Sequence, residues 1–190
     1  MKKIWTLLVA AITVLAVLTS GCSSSDKAAK PADGKKTTTI GFSISTLNNP
    51  FFVSVRKGVE EEAKKLGVNV KIVDAQNDPA KQANDISDLI QQKVDVLLIN
   101  PVDSAAVSTS VAAANKASIP VLALDRSADK GTVASFIASD NVKGGEMAAE
   151  YIIQKLGEKV KVAELEGIPG ASATVSYTHL RAHETLMNLV

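Results

Sequence analysis

The chain has 190 residues, 46% of them hydrophobic and 22% charged, with a formal net charge of +1. That balance is globular rather than disordered or fibrous, and it supplies no basic face to neutralise nucleic-acid phosphates. Cys22 is the single cysteine, which excludes an internal disulfide.

The chain starts with Met1-Lys2-Lys3, followed by an apolar stretch from Ile4 to Leu18 broken only by threonines. This stretch is shorter than the roughly 20 residues of a bilayer span and has the length of a signal-peptide core. It ends in Leu18-Thr19-Ser20-Gly21-Cys22. These residues resemble the lipobox of bacterial lipoproteins, with leucine one place further upstream than in the commonest version. The resemblance implies lipidation at Cys22 and a protein held to the outer face of the cytoplasmic membrane. Residues 23–37 are rich in Ser, Lys, Ala, Asp and Gly, and read as a flexible tether.

Beyond the tether, strand and helix patterns alternate. Thr38–Ser45 is a strand by its β-branched and apolar content. Phe51–Leu66 carries Phe52, Val55, Val59, Ala63 and Leu66 at helical steps, and Gly67 closes that helix. Val68–Asp74 alternates as a strand. Asp78-Pro79 supplies an N-cap and first-turn proline for a helix over Ala80–Gln92. Val94–Ile99 is a buried strand, Ser104–Ala117 a helix, Ile119–Leu124 and Thr132–Ala138 strands, Asn141–Leu156 a helix and Val160–Leu165 a strand. Repeated βαβ units of this kind predict an α/β fold: a doubly wound parallel sheet with flanking helices.

Ligands of such sheets bind beyond the carboxyl ends of the strands. There the sequence places Ser45-Thr46-Leu47-Asn48-Asn49-Pro50-Phe51-Phe52, then Asp74–Asp78, Asn100–Ser104 and Asp125-Arg126. No G-x-G-x-x-G, P-loop or G-x-S-x-G pattern appears, and these rim residues include no histidine or cysteine. The set suits a neutral polyhydroxylated ligand. Asp125 accepts from hydroxyls, Arg126 donates a fork, Asn49 does both, and a phenylalanine ring covers an apolar C–H face. Bonds with charged partners contribute about 1.5–3 kcal/mol each. Blander readings fit the same residues: one phenylalanine in the core, a strand-end ion pair at Asp125-Arg126, and helix capping at Asn100–Ser104.

The motifs STLNNPFF, DAQNDPAKQ, LLINPVDSAAV, IPVLALDR and IASDNVKGG, in this order and spacing, resemble the ribose-binding proteins of sugar ABC importers. Those proteins are members of the type I periplasmic binding protein family. The resemblance covers Thr38–Thr174. It implies two α/β lobes that close on one sugar, with residues 38–139 as the N-terminal lobe and 140–174 as the start of the second. It further implies that Asn49, Phe51, Phe52, Asp125 and Arg126 contact ribose or a similar monosaccharide, with Ser45 and Asn100 lining the same cleft. It implies a transmembrane permease as partner and no cofactor or metal. Service to a chemoreceptor is a rival that the sequence does not separate from import, and the missing motifs and near-neutral charge speak for neither catalysis nor nucleic acid.

Where the family pattern implies a sugar-binding arginine, this chain has Val175. Residues 175–190 match nothing in the family and resemble translated adaptor sequence, so they are expected to form an unrelated, unstructured tail. His179 and His183 stand at helical spacing beside Glu184, but not in the order of a zinc H-E-x-x-H motif. With part of the second lobe missing, the chain is expected to bind ribose more weakly than an intact protein. Rival readings are a binding protein for another sugar or furanosyl signal, and the effector domain of a sugar-responsive transcription regulator.

Overall fold

The computed structural model describes residues 37–157, 160–161 and 167–178. The signal segment with Cys22, nearly all of the tether, most of the strand expected over Val160–Leu165, and His179, His183 and Glu184 lie outside them.

The elements follow from local chemistry. Strand β1 (Thr39–Ile44) leads into helix α1 (Pro50–Leu66). Asn49 caps α1 by accepting from the Phe51 N–H, Pro50 occupies the first turn, and Gly67 ends the helix at φ 67°. That left-handed conformation is open to glycine at little cost. Strand β2 (Asn69–Asp74) is followed by α2 (Pro79–Gln91), capped by Asp78 through the N–H groups of Ala80 and Lys81. Next come β3 (Val96–Ile99), α3 (Ser108–Lys116), β4 (Val121–Leu124), β5 (Ser135–Ile137), α4 (Asn141–Leu156) and α5 (Ser172–Thr178).

The five strands form one parallel sheet in the order β2-β1-β3-β4-β5. The chain winds outward from β1 in one direction to β2 and in the other through β3, β4 and β5. The topological switch point therefore lies between the carboxyl ends of β1 and β3. This is the doubly wound α/β sheet read from the sequence.

Two cores sit on opposite faces. Ile86 and Leu89 of α2 and Val107, Val111 and Ala114 around α3 pack with Leu97, Ile99 and Val121 of the sheet. On the other face Phe52, Val55 and Val59 of α1 meet Phe42, Ile44, Leu98 and Leu124. Leu97 and Ile99 face one core while Leu98 faces the other, the two-residue period of a strand buried on both sides. Gly41 permits the close approach of α2, since a Cβ there would lie 3.1 Å from the Leu89 side chain.

Two expectations shift. Helix α3 begins at Ser108 rather than Ser104, because Ser104 is drawn into tertiary bonds: its carbonyl, which a helix would pair with the Ser108 N–H, accepts instead from the Asp129 N–H at 2.9 Å. The Ser104 N–H donates to the Gly170 carbonyl at 2.9 Å, and the Asp103 carboxylate caps a separate turn through the N–H groups of Ala105 and Ala106. At the other end, Val175–Thr178 complete α5, so the unstructured tail expected from Val175 does not include these four residues.

Candidate functional site

The rim at the switch point is built from three loops. Consecutive residues of a helix point about 100° apart. Phe52 therefore turns into the core, at 4% exposure, while Phe51 stands at the rim, at 54%. Their rings meet edge to face, with centroids 5.2 Å apart and planes at 66°. They make a corner of two apolar walls.

The β3 loop contributes Asn100. Its Oδ1 accepts from the Ser45 N–H at 3.2 Å and the Ser45 hydroxyl at 2.5 Å, and its Nδ2 donates to the Leu124 carbonyl at 3.0 Å. One amide thus ties together the carboxyl ends of β1, β3 and β4. The β4 loop contributes Asp125 at φ 62°, a left-handed conformation that aspartate tolerates better than most residues. Its N–H donates to the Ile137 carbonyl at 2.8 Å, which joins the loop to the end of β5.

Arg126 is buried, at 8% exposure. Its Nη1 donates to the Pro101 carbonyl at 3.0 Å, and its guanidinium lies 5.4 Å from the centroid of the Phe52 ring. Its Nε stands 3.7 Å from the Asp125 carboxylate, an ion pair too long to count as a hydrogen bond. Burial pushes the Asp125 carboxyl above the ordinary carboxylate range, against the opposing pull of Arg126 and the hydrogen bond with Asn100. Burial likewise lowers the Arg126 guanidinium, opposed by the Asp125 charge.

These groups border a cavity of about 220 Å³ lined by Phe51, Phe52, Val55, Asn100, Leu124, Asp125 and the end of β5 through Ser139. It is smaller than the roughly 300–1,000 Å³ pockets of drug-sized ligands. A second hollow of about 220 Å³ shares Asp125 and Ser139 with it and runs to Asp140, Asn141, Ser172 and Ser176, at the start of α4 and along α5.

The residues singled out from sequence thus fall into two sets. Phe51, Phe52, Asn100 and Asp125 line one cavity. Ser45, Asn49 and Arg126 adjoin it without lining it. Ser45 is buried against Asn100, the Asn49 Oδ1 is engaged as a helix cap, and Arg126 is held behind Phe52. The capping assigned to Asn100–Ser104 belongs to Asp103, whereas Asn100 bonds across the sheet end. The lining residues Ile137, Ala138 and Ser139 were not singled out, since a short β-rich run announces a strand but not what its end will face. Nor was Gln82, a buried polar residue next to these loops; its signal was a glutamine within DPAKQ at a helical position that turns inward.

Residues 40–180 match a family model described as a periplasmic binding protein domain. The chain is 60% identical over 166 residues to the ribose import binding protein RbsB of Bacillus subtilis, covering 86% of this chain and 54% of that protein. It is 48% identical over 173 residues to the ribose import binding protein RbsB of Escherichia coli, covering 91% and 54%. The crystal structure of a Caulobacter myo-inositol binding protein bound to myo-inositol superposes with a TM-score of 0.74 at 30% identity, covering 80% of this chain and 54% of that one. The chain spans about half the length of the curated relatives it matches.

Proposed function

Because the chain belongs to the periplasmic binding protein family, we propose that it carries the sugar-binding rim of the solute receptor of an ABC importer, with ribose or a similar monosaccharide as ligand. The observation that carries this reading is the meeting, in one small cavity, of two angled aromatic walls with the Asp125 carboxylate and the Asn100 amide.

A pyranose or furanose has hydroxyls that donate to a carboxylate, and C–H faces that lie against a ring. Asp125 would accept from one or two hydroxyls. Phe51 and Phe52 would cover the apolar face, and the Asn49 Nδ2, which its capping bond does not use, would reach a hydroxyl at the mouth. Arg126, buried behind Phe52 with its Nε 3.7 Å from the Asp125 carboxylate and its Nη1 bonded to the Pro101 carbonyl, would support the site from behind by holding Asp125 and the β3 loop. The role is binding rather than catalysis, in keeping with the relatives named above as binding proteins.

In this reading the receptor works outside the cytoplasmic membrane, tethered by a lipid on Cys22, and hands its sugar to a transmembrane permease; a chemoreceptor is a further reader of the loaded form. A ligand that binds one arrangement of the lobes more tightly shifts the population toward it, and the partner responds to that shift. In this reading a second lobe would complete the site on the side of the second hollow, toward α4 and α5.

Calorimetric titration of ribose, with xylose, allose and galactose as comparators, tests the ligand class. Ribose heat that saturates in the millimolar range or tighter is expected. The reading fails if no monosaccharide gives heat. Mass spectrometry of the membrane fraction tests the anchor, which requires a diacylglyceryl mass on a peptide beginning at Cys22.

A further inference from the structure

Gln82 is 2% exposed on the sheet-facing side of α2 and does not line the cavity. Its Nε2 donates to the Ser43 hydroxyl at 3.2 Å and to the Asn100 carbonyl at 3.0 Å. Its Oε1 accepts from the Val102 N–H at 2.8 Å. Both donors and one acceptor position of the amide are therefore used, and no buried side-chain nitrogen or oxygen among the described residues lacks a partner.

An apolar residue of similar length would be cheaper to bury, so the bonds are what distinguish glutamine at this position. They converge on one irregular segment, Asn100–Val102. The Asn100 side chain lines the cavity, and the Pro101 and Val102 carbonyls accept from Arg126 at 3.0 and 3.5 Å. The segment lies in no helix or strand, so regular backbone bonds do not fix it beyond the bond from the Asn100 N–H to the Ser43 carbonyl.

We propose that Gln82 is a positioning residue of the sugar site, whose amide clamps Asn100–Val102 so that Asn100 faces the cavity and Arg126 stays seated behind Phe52. This rests on the sugar-binding reading for its purpose but not for its geometry, and the test separates the two. Two-dimensional NMR of the full chain without ligand reads the Asn100 side-chain amide and the Arg126 Nε–H. Ribose titration follows on the same samples.

Gln82→Met removes all three bonds at nearly constant volume. It should move both signals away from their wild-type positions and weaken ribose binding at least tenfold, while thermal unfolding stays cooperative. Gln82→Glu keeps the acceptor for Val102 and loses the paired donors. It should move the same signals, and it decides the matter if the methionine variant does not fold. Should neither fold, hydrogen exchange in the wild type decides: the Val102 N–H must be protected, and rapid exchange there overturns the clamp. Unchanged Asn100 and Arg126 signals overturn the proposal, and so does wild-type ribose affinity in a variant whose signals have moved. A wild-type chain that takes up no ribose, while the variant signals still move, sinks the sugar reading and leaves the clamp standing.

Discussion

Helices α2 and α4 begin alike and end up in different surroundings. Each has an aspartate N-cap, Asp78 for one and Asp140 for the other. Yet α2 buries Gln82, Ile86 and Leu89 against the sheet, whereas the longer α4 buries only Gly145. It exposes Val142, Met147, Tyr151 and Leu156. Capping and propensity start a helix, but its stability comes chiefly from what its apolar face is packed on. The core of the described residues therefore lies in the sheet with α1, α2 and α3, and most of the rim of the candidate site is built on it.

The contrast breaks most readily at Phe52. It fills the α1 core and backs Arg126, so Phe52→Ala should lower unfolding free energy by about 3–5 kcal/mol. Urea denaturation measures this, and a loss below about 1 kcal/mol would show that this core is not what holds the rim.

Next in size is Asp125→Asn, which retains a side chain that tolerates the left-handed backbone and removes a charged acceptor. Ribose affinity should fall by about 1.5–3 kcal/mol, tenfold or more, by calorimetry. Without ligand the same variant should be no less stable near neutral pH. The sign follows from burial. The folded pKa of Asp125 lies above its unfolded value, so the folded state keeps its proton longer. Stability without ligand then declines as pH rises through that window, and asparagine is spared this. In the proposed role Asp125 binds ribose as an ionised acceptor, so wild-type affinity should fall as pH drops through the raised value, and the Asp125→Asn variant should lose that dependence.

Phe51→Ala sharpens the contrast within the rim. The exposed ring supports little of the core, so stability should change by less than about 1 kcal/mol while sugar affinity drops severalfold. Smallest of all should be Tyr151→Ser on α4. It should move stability by no more than about 0.5 kcal/mol, and light scattering should show less self-association, because it removes exposed apolar surface.

Much of this was legible because the signals are local. Asp78 with Pro79, and Gly67, each state a helix boundary within a few residues. The apolar run ending β3 announces a strand buried on both faces. The start of α3 was misread because the Ser104 carbonyl answers to the Asp129 N–H, a partner well along the chain. The Phe51-Phe52 pair reads as either core or rim from sequence, and the structure makes each ring part of the cavity wall while burying only one. Gln82 looks like one more polar helix residue until its three bonds are seen. The inward position of Arg126 is equally invisible locally, since the carbonyls that hold it belong to the β3 loop.

The central claim is that a monosaccharide enters the corner between the two phenylalanine rings and Asp125. Nitrogen–proton correlation spectra recorded during a ribose titration into the millimolar range test it most directly. Saturable shifts confined to Phe51, Phe52, Asn100, Asp125 and their neighbours are expected. Spectra that stay unchanged throughout, or shifts that cluster on a surface away from this corner, would contradict it.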